Sequence, residues 1–225
     1  MLVLFDIDGT LLSASGAGSR AMISAGRELF HETFTTEGVT FAGGIDALIW
    51  RRLCEVNGVD DTLANHDAFR TRYASHLERG LKIGGAQLLP GAADLVDALE
   101  GDGRGTLGIL SGNWPETGRM KLAAGGLDPA RFPVSAWGDD GHRRSALVPA
   151  ALDRYERHAG SRLDSEAVVI IGDTPSDIAC ARENGCRSLA VATGGFDRHA
   201  LSEAGADLVV DDLRGTEELF GWIWA

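Results

Sequence analysis

Apolar residues along this chain fall into two alternating textures. Short unbroken runs, rich in branched residues, occur at Leu2–Phe5, Thr106–Leu110, Ala167–Ile171, Ser188–Ala192 and Asp207–Val210, with a weaker one at Pro133–Trp137. Strands covered on both faces carry this kind of continuous apolar run, so the pattern predicts a parallel sheet. Between the runs, Gly91–Glu100, Pro115–Ala124, Ser145–Ala159 and Pro175–Asn184 have helical texture. Regular alternation of strand and helix predicts an α/β fold with a doubly wound parallel sheet. In such sheets chemistry gathers beyond the carboxyl ends of the strands.

One segment interrupts the alternation. From about residue 16 to residue 84 no run reads as a strand, and three helical patterns follow one another. Met22, Ala25 and Leu29 share a side; Ile45, Leu48, Ile49, Leu53 and Val56 recur at helical spacing, as do Leu63, Phe69, Tyr73 and Leu77. Gly16 and Gly18 stand at the entry, and Gly80, Gly84 and Gly85 at the exit. This predicts a helical insert over 16–84 on two flexible connections, within a discontinuous core of 1–15 and 85–225. The alternative is three further helices packed on the core.

Composition narrows the function classes. At 225 residues and 44% hydrophobic, the chain can bury a sizeable core. Asp and Glu number 33 against 21 Lys and Arg, a net charge of −12, which disfavours a general nucleic-acid binder. Small anionic substrates stay open, because a metal or an arginine can reverse the field inside one pocket. No apolar run approaches the ~20 residues of a membrane span. The N-terminus turns acidic at its sixth residue, unlike a signal peptide, so a cytoplasmic location is expected. Cys54, Cys180 and Cys186 match no metal or redox spacing and predict reduced, mostly buried thiols.

The chemistry-bearing residues follow strands. Phe5 leads into Asp6-Ile7-Asp8-Gly9-Thr10, and strand period puts Asp6 and Asp8 on one side. Two like charges so close are costly unless a cation binds or one is protonated. Leu110 leads into Ser111-Gly112-Asn113-Trp114-Pro115, where a hydroxyl and free backbone N–H groups precede a helix and can receive an anion. Ile171 leads into Gly172-Asp173-Thr174-Pro175-Ser176-Asp177, two more carboxylates, of which Asp177 alone would also suit a helix first turn. Hard oxygen donors from three strand ends suit Mg²⁺.

Asp6-Ile7-Asp8-Gly9-Thr10, Leu110-Ser111-Gly112-Asn113 and Gly172-Asp173-Thr174-Pro175-Ser176-Asp177 resemble the first, second and fourth motifs of the haloacid dehalogenase-like superfamily. The helical insert resembles that family's small α-helical cap, of the phosphoglycolate-phosphatase type. The family's third motif is a basic residue, usually lysine, near the helix after the third strand. Here His142-Arg143-Arg144-Ser145 has no lysine; a helix start near Ser145 favours Arg144, with Arg143 the alternative. Lys121, on an earlier helix, is expected to be a solvated surface charge.

The resemblance implies a Mg²⁺-dependent phosphatase of small phosphorylated metabolites. Asp6 would be the nucleophile and Asp8 the acid and base. Asp6, the Asp8 carbonyl and Asp173 would hold the metal, with Asp177 in support. Thr10, Ser111, Gly112, Asn113 and Arg144 would bind the phosphoryl group. Arg20 is a candidate for a substrate carboxylate, and the segments Ser15–Arg20 and Ala42–Gly44 are candidates to face the site. Asp8 favours phosphoryl transfer over halide displacement, which needs no leaving-group acid. The insert between Gly16 and Gly80 has no lysine for the Schiff base that carbon–phosphorus cleavage uses. A sugar-phosphate mutase and a weakly active binding member are the other readings, and the chain would be a monomer or homodimer. Trp114 is expected to wall the pocket, and Trp222 and Trp224 to pack the C-terminus.

Overall fold

The structure is a computed structural model describing residues 1–225. In chain order, β1 (Leu2–Phe5) and β2 (Leu12–Ser13) lead into three helices, α1 (Ala17–Leu29), α2 (Asp46–Asn57) and α3 (Leu63–Gly84). Then come β3 (Gln87–Leu88), α4 (Ala92–Asp102), β4 (Thr106–Leu110), α5 (Pro115–Ala124) and β5 (Val134–Ala136). The chain closes with α6 (Leu147–Ala159), β6 (Val168–Gly172), α7 (Pro175–Asn184), β7 (Arg187–Val191), α8 (Arg198–Glu203), β8 (Leu208–Val210) and α9 (Thr216–Ile223).

Six strands form one sheet in the order β5-β4-β1-β6-β7-β8, all neighbours parallel. The α/β fold of the sequence pattern is therefore the one observed, with strand ends displaced by a residue or two. Unbroken runs became central strands for the expected reason: β1 and β6 are buried at every position. The chain builds β4 and β5 on one side of β1, then β6, β7 and β8 on the other, so β1 lies at the reversal of strand order. Ligands bind at such a reversal. Register also matters: Phe5 lies opposite Ile109 of β4 and Ile171 of β6, so three carboxyl ends finish level.

The periodicity missed one element pair. β2 and β3 form a two-residue antiparallel ribbon at the foot of the segment that carries α1–α3. Strands this short are below the length at which any period shows.

The apolar faces of α1–α3 run into the interior beside the sheet without a polar break. Phe34 and Trp50 both pack on Phe69, Phe69 stacks on Tyr73, and Tyr73 meets Trp114 at 5.7 Å between ring centroids. Trp114 is fully buried in this aromatic row. That corrects the expectation that it walls the pocket: its indole packs on His66 and Tyr73 of α3 and joins that helix to the start of α5. At the C-terminus Trp224 packs on Phe220 and Trp222 lies under Arg187, as expected. All three cysteines are free and buried, and burial pushes the thiols of Cys54 and Cys180 up to about 12 and that of Cys186 to about 11. No helix is long and apolar enough to cross a membrane.

Candidate active site

The level strand ends bring the three carboxylate- and hydroxyl-bearing loops together. Asp6 follows β1 with 5% exposure, Ser111 follows β4 with 1%, and Asp173 follows β6 with 4%. Arg144 comes in from the turn ahead of α6. Its Nη2 lies 3.0 Å from Asp6 Oδ1 and 2.6 Å from Asp177 Oδ1, and donates to the Leu110 carbonyl at 3.2 Å. Arg143, one residue earlier, is outside: its side chain is 77% exposed and reaches towards Glu183 at 3.8 Å. A 3-10 turn over Arg144–Ala146 precedes α6 and separates the two fates.

Asp6, Asp173 and Asp177 each offer a carboxylate oxygen within 4.8 Å of the others. Neighbouring groups orient two of them. Thr10 donates to Asp173 Oδ1 at 3.2 Å, and Thr174 donates through N and Oγ1 to Asp177 Oδ2 at 3.1 and 2.7 Å, a capping box that starts α7. Gly9 has φ +84°, and a Cβ there would collide with the Asp173 carboxylate, so only glycine lets the β1 loop pass so near. Thr10 itself is sealed at 0% exposure. It braces Asp173 and does not face the open site.

This cluster fits a divalent cation. Three buried carboxylates face a single guanidinium, so when all three are ionised two negative charges lack a counter-charge, and all the donors are hard oxygens. Burial, aided by the Asp177 and Asp8 charges and opposed by Arg144, pushes Asp6 up to about 6. Burial, with the Asp6 and Asp177 charges, pushes Asp173 up to about 8. Both lie above the ordinary value of about 4, so between those values the folded chain holds protons that the unfolded chain has released. Without metal, these two groups therefore make the fold less stable as pH rises from about 4 through 8. A bound cation replaces the protons, so added Mg²⁺ is expected to raise the melting temperature more at pH 8 than at pH 5. Equal shifts at the two pH values would sink this account of the cluster.

A second group of side chains forms around Asp8. Asp8 turns its carboxylate away from the cluster, and its Oδ2 accepts from Asn113 Nδ2 at 2.9 Å and from Lys121 Nζ at 2.5 Å. Asn113 Nδ2 also donates to Ser111 Oγ at 2.9 Å, and Lys121 Nζ to Asn113 Oδ1 at 2.7 Å. Lys121 is thus not the solvated charge expected from its residue type; it is 5% exposed. A signal was present: Thr117, Gly118, Lys121 and Leu122 make one helical stripe, and the structure buries all four.

Both groups open into a cavity of about 360 Å³. Asp6, Asp8, Ser111, Gly112, Asn113, Lys121, Arg144 and Asp173 reach it from the strand ends, and Ser15, Gly16, Gly18, Ser19 and Ala42–Gly44 from the segment of α1–α3. Arg20 is not among its lining residues. It is exposed, and its Nη1 donates back to the Ser15 carbonyl at 2.7 Å. Sequence reasoning also passed over Asp46, Tyr73 and the Gly194-Gly195 loop, which all line the cavity. Asp46 accepts from the Trp114 N–H at 2.8 Å, its own N–H donates to Gly112 O at 2.8 Å, and burial pushes its carboxyl up to about 6. It ties the start of α2 to the loop after β4. Arg70 of α3 closes the same seam, pairing with Glu116 at 2.6 Å and Asp139 at 2.7 Å.

Comparison with known proteins finds similarity along nearly the whole chain. The HAD-hydrolase-like family model matches residues 143–216, which include Arg144, Asp173 and Asp177. The phosphoglycolate phosphatase of Aliivibrio fischeri is 27% identical over 219 residues, covering 95% of this chain and 93% of its own. That of Rhodospirillum rubrum is 26% identical, covering 98% and 90%. Among solved structures, CbbY from Rhodobacter sphaeroides in complex with phosphate superposes with a TM-score of 0.75 at 21% identity, over 95% of both chains. With the motif residues gathered at one sheet edge and similarity along nearly its whole length, the chain is similar to the haloacid dehalogenase-like hydrolases, phosphoglycolate phosphatases among them.

Proposed function

We propose that this chain is a Mg²⁺-dependent phosphatase of small phosphomonoester metabolites, phosphoglycolate phosphatase-like, working through an aspartyl-phosphate on Asp6. The observation that carries the reading is the buried Asp6 carboxylate, 3.0 Å from Arg144, at the junction of an acidic cluster and a cavity of about 360 Å³. In this reading residues 16–84 are a cap over a core of 1–15 and 85–225, and the cavity lies between them. Its volume suits a leaving group of a few carbons. The ribbon of β2 and β3 lies at the base of the cap, where the two connections cross.

Asp6 attacks phosphorus with one carboxylate oxygen, and the bond from phosphorus to the ester oxygen breaks. Asp8 gives the leaving oxygen its proton, then takes one from the water that attacks the phosphorus of the aspartyl-phosphate. Ser111, the backbone N–H groups of Gly112 and Asn113, and Arg144 hold the phosphoryl oxygens as charge develops. Asp6, the Asp8 carbonyl and Asp173 would hold Mg²⁺, with Asp177 orienting. When bound, the metal supplies charge neutralisation for the phosphoryl group. The two aspartates of the first loop thereby have different surroundings and different tasks.

The test is inorganic phosphate release from a panel of small phosphomonoesters, with Mg²⁺ and with chelator. Metal-dependent release is expected, with phosphoglycolate and other short esters in the upper ranks. No release from any ester, with phosphate instead moving between positions on a sugar phosphate, would replace hydrolysis by a mutase reaction.

A further inference from the structure

Lys121 has no part in the scheme above, yet it lines the cavity and meets Asp8 there. Its ammonium is bonded to Asp8 Oδ2 and Asn113 Oδ1, and its side chain is 7% exposed. An ammonium so deep in the fold is costly unless paired, and these two oxygens are its partners. Arg144, also lining the cavity, is engaged with Asp6 and Asp177 on the metal side. Lys121 is therefore the cation that meets Asp8.

Two consequences follow from the chemistry of an ammonium, which donates and never accepts. The Asn113 amide must turn its oxygen to Lys121, and this sends Nδ2 towards Asp8 Oδ2 and Ser111 Oγ, both at 2.9 Å. The Asp8 carboxylate, 44% exposed on a loop, is then held by two donors, one from the loop after β4 and one from α5. The support is rigid, since Lys121 projects from the buried face of α5. We propose that Lys121 is a positioning residue: it holds the Asp8 carboxyl at the leaving oxygen and locks the Asn113 amide in the orientation that serves it. This inference rests on the reading of Asp8 as proton donor to the leaving group.

A step that depends on a placed proton donor responds to the leaving group. An alkyl phosphate releases an alkoxide that needs the proton, whereas p-nitrophenyl phosphate releases a stable anion that does not. kcat/KM reports phosphoryl transfer to Asp6 for both. Lys121→Met is expected to lower kcat/KM for glycerol phosphate about 100-fold and for p-nitrophenyl phosphate less than about 10-fold. Asp8→Asn is expected to show the same contrast. The double variant should lie within about 3-fold of Asp8→Asn alone, because the two residues act as one unit.

If Asp8→Asn shows the contrast and Lys121→Met lowers both substrates equally, Lys121 is merely structural and the proposal is overturned. If Asp8→Asn itself shows no contrast, the proton-donor reading fails and the proposal with it. Circular dichroism and melting establish that each variant is folded. Should Lys121→Met not fold, Lys121→Gln, which keeps amide donors but loses the charge, is expected to show a reduced contrast of the same sign. Equal loss on both substrates in Lys121→Gln overturns the proposal just as well.

Discussion

Asp6→Asn is expected to lower metal-supported phosphate release by at least about 10⁴-fold while the protein stays folded. The amide nitrogen that replaces one carboxylate oxygen cannot form the acyl phosphate, and the remaining oxygen can still accept from Arg144. Stability should not suffer in the absence of metal. Burial pushes the Asp6 carboxyl up to about 6, so at pH 8 the native carboxylate is held at a cost that the neutral amide avoids. Melting at pH 8 with chelator is therefore expected to be no lower than in the parent. With Mg²⁺ present, the increase in melting temperature should shrink, since one charged oxygen donor is gone. Activity retained in this variant would mean that the nucleophile is another residue.

Arg144→Ala is expected to cost about 3–5 kcal/mol of stability without metal, the cost of stripping the partner from buried charges. Asp6 and Asp177 lose the guanidinium held at 3.0 and 2.6 Å, and Asp173 lies in the same cluster. Activity should fall about 10²- to 10³-fold, as on removal of one donor to a developing oxyanion. Added Mg²⁺ should restore part of the stability, because it neutralises the same carboxylates, but little of the activity. Arg143→Ala, at an exposed side chain paired loosely with Glu183, is expected to stay within about 0.5 kcal/mol of the parent and to keep its turnover. Chemical denaturation with chelator and with Mg²⁺, run beside steady-state rates, measures both. The opposite ranking of the two arginines would assign the third motif to Arg143.

The central strands were legible because a strand buried on both faces leaves an unbroken apolar run, and β1, β4 and β6 each have one. Their carboxylates and hydroxyl were legible because they follow those runs directly. Arg144 was separable from Arg143 only through an expected helix start, since a three-residue 3-10 turn carries no periodicity of its own. Trp114 and Lys121 were misplaced for a shared reason. Adjacency to the second motif argued for a pocket wall and residue type for a surface charge, while the packing of α5 and of the residue that caps it against α3 and the loop after β4 was left out of account. Asp46 was hidden because its partners, the loop after β4 and Thr117 of α5, are far along the chain.

Local sequence thus sufficed for the α/β class, the succession of the six strands of the main sheet, and the residues that stand just past those strands' carboxyl ends. Those features depend on each element's own pattern of burial. Which charges are inside, and which partner each takes, depended on register and packing between distant segments. Thr10 meets Asp173 across 163 positions, and Lys121 meets Asp8 across 113. A charged side chain is stable inside only when the folded chain supplies its counter-charge within hydrogen-bond reach. No local period encodes that condition, because it is met by groups that become neighbours only after the sheet has closed its register and the helices have packed upon it.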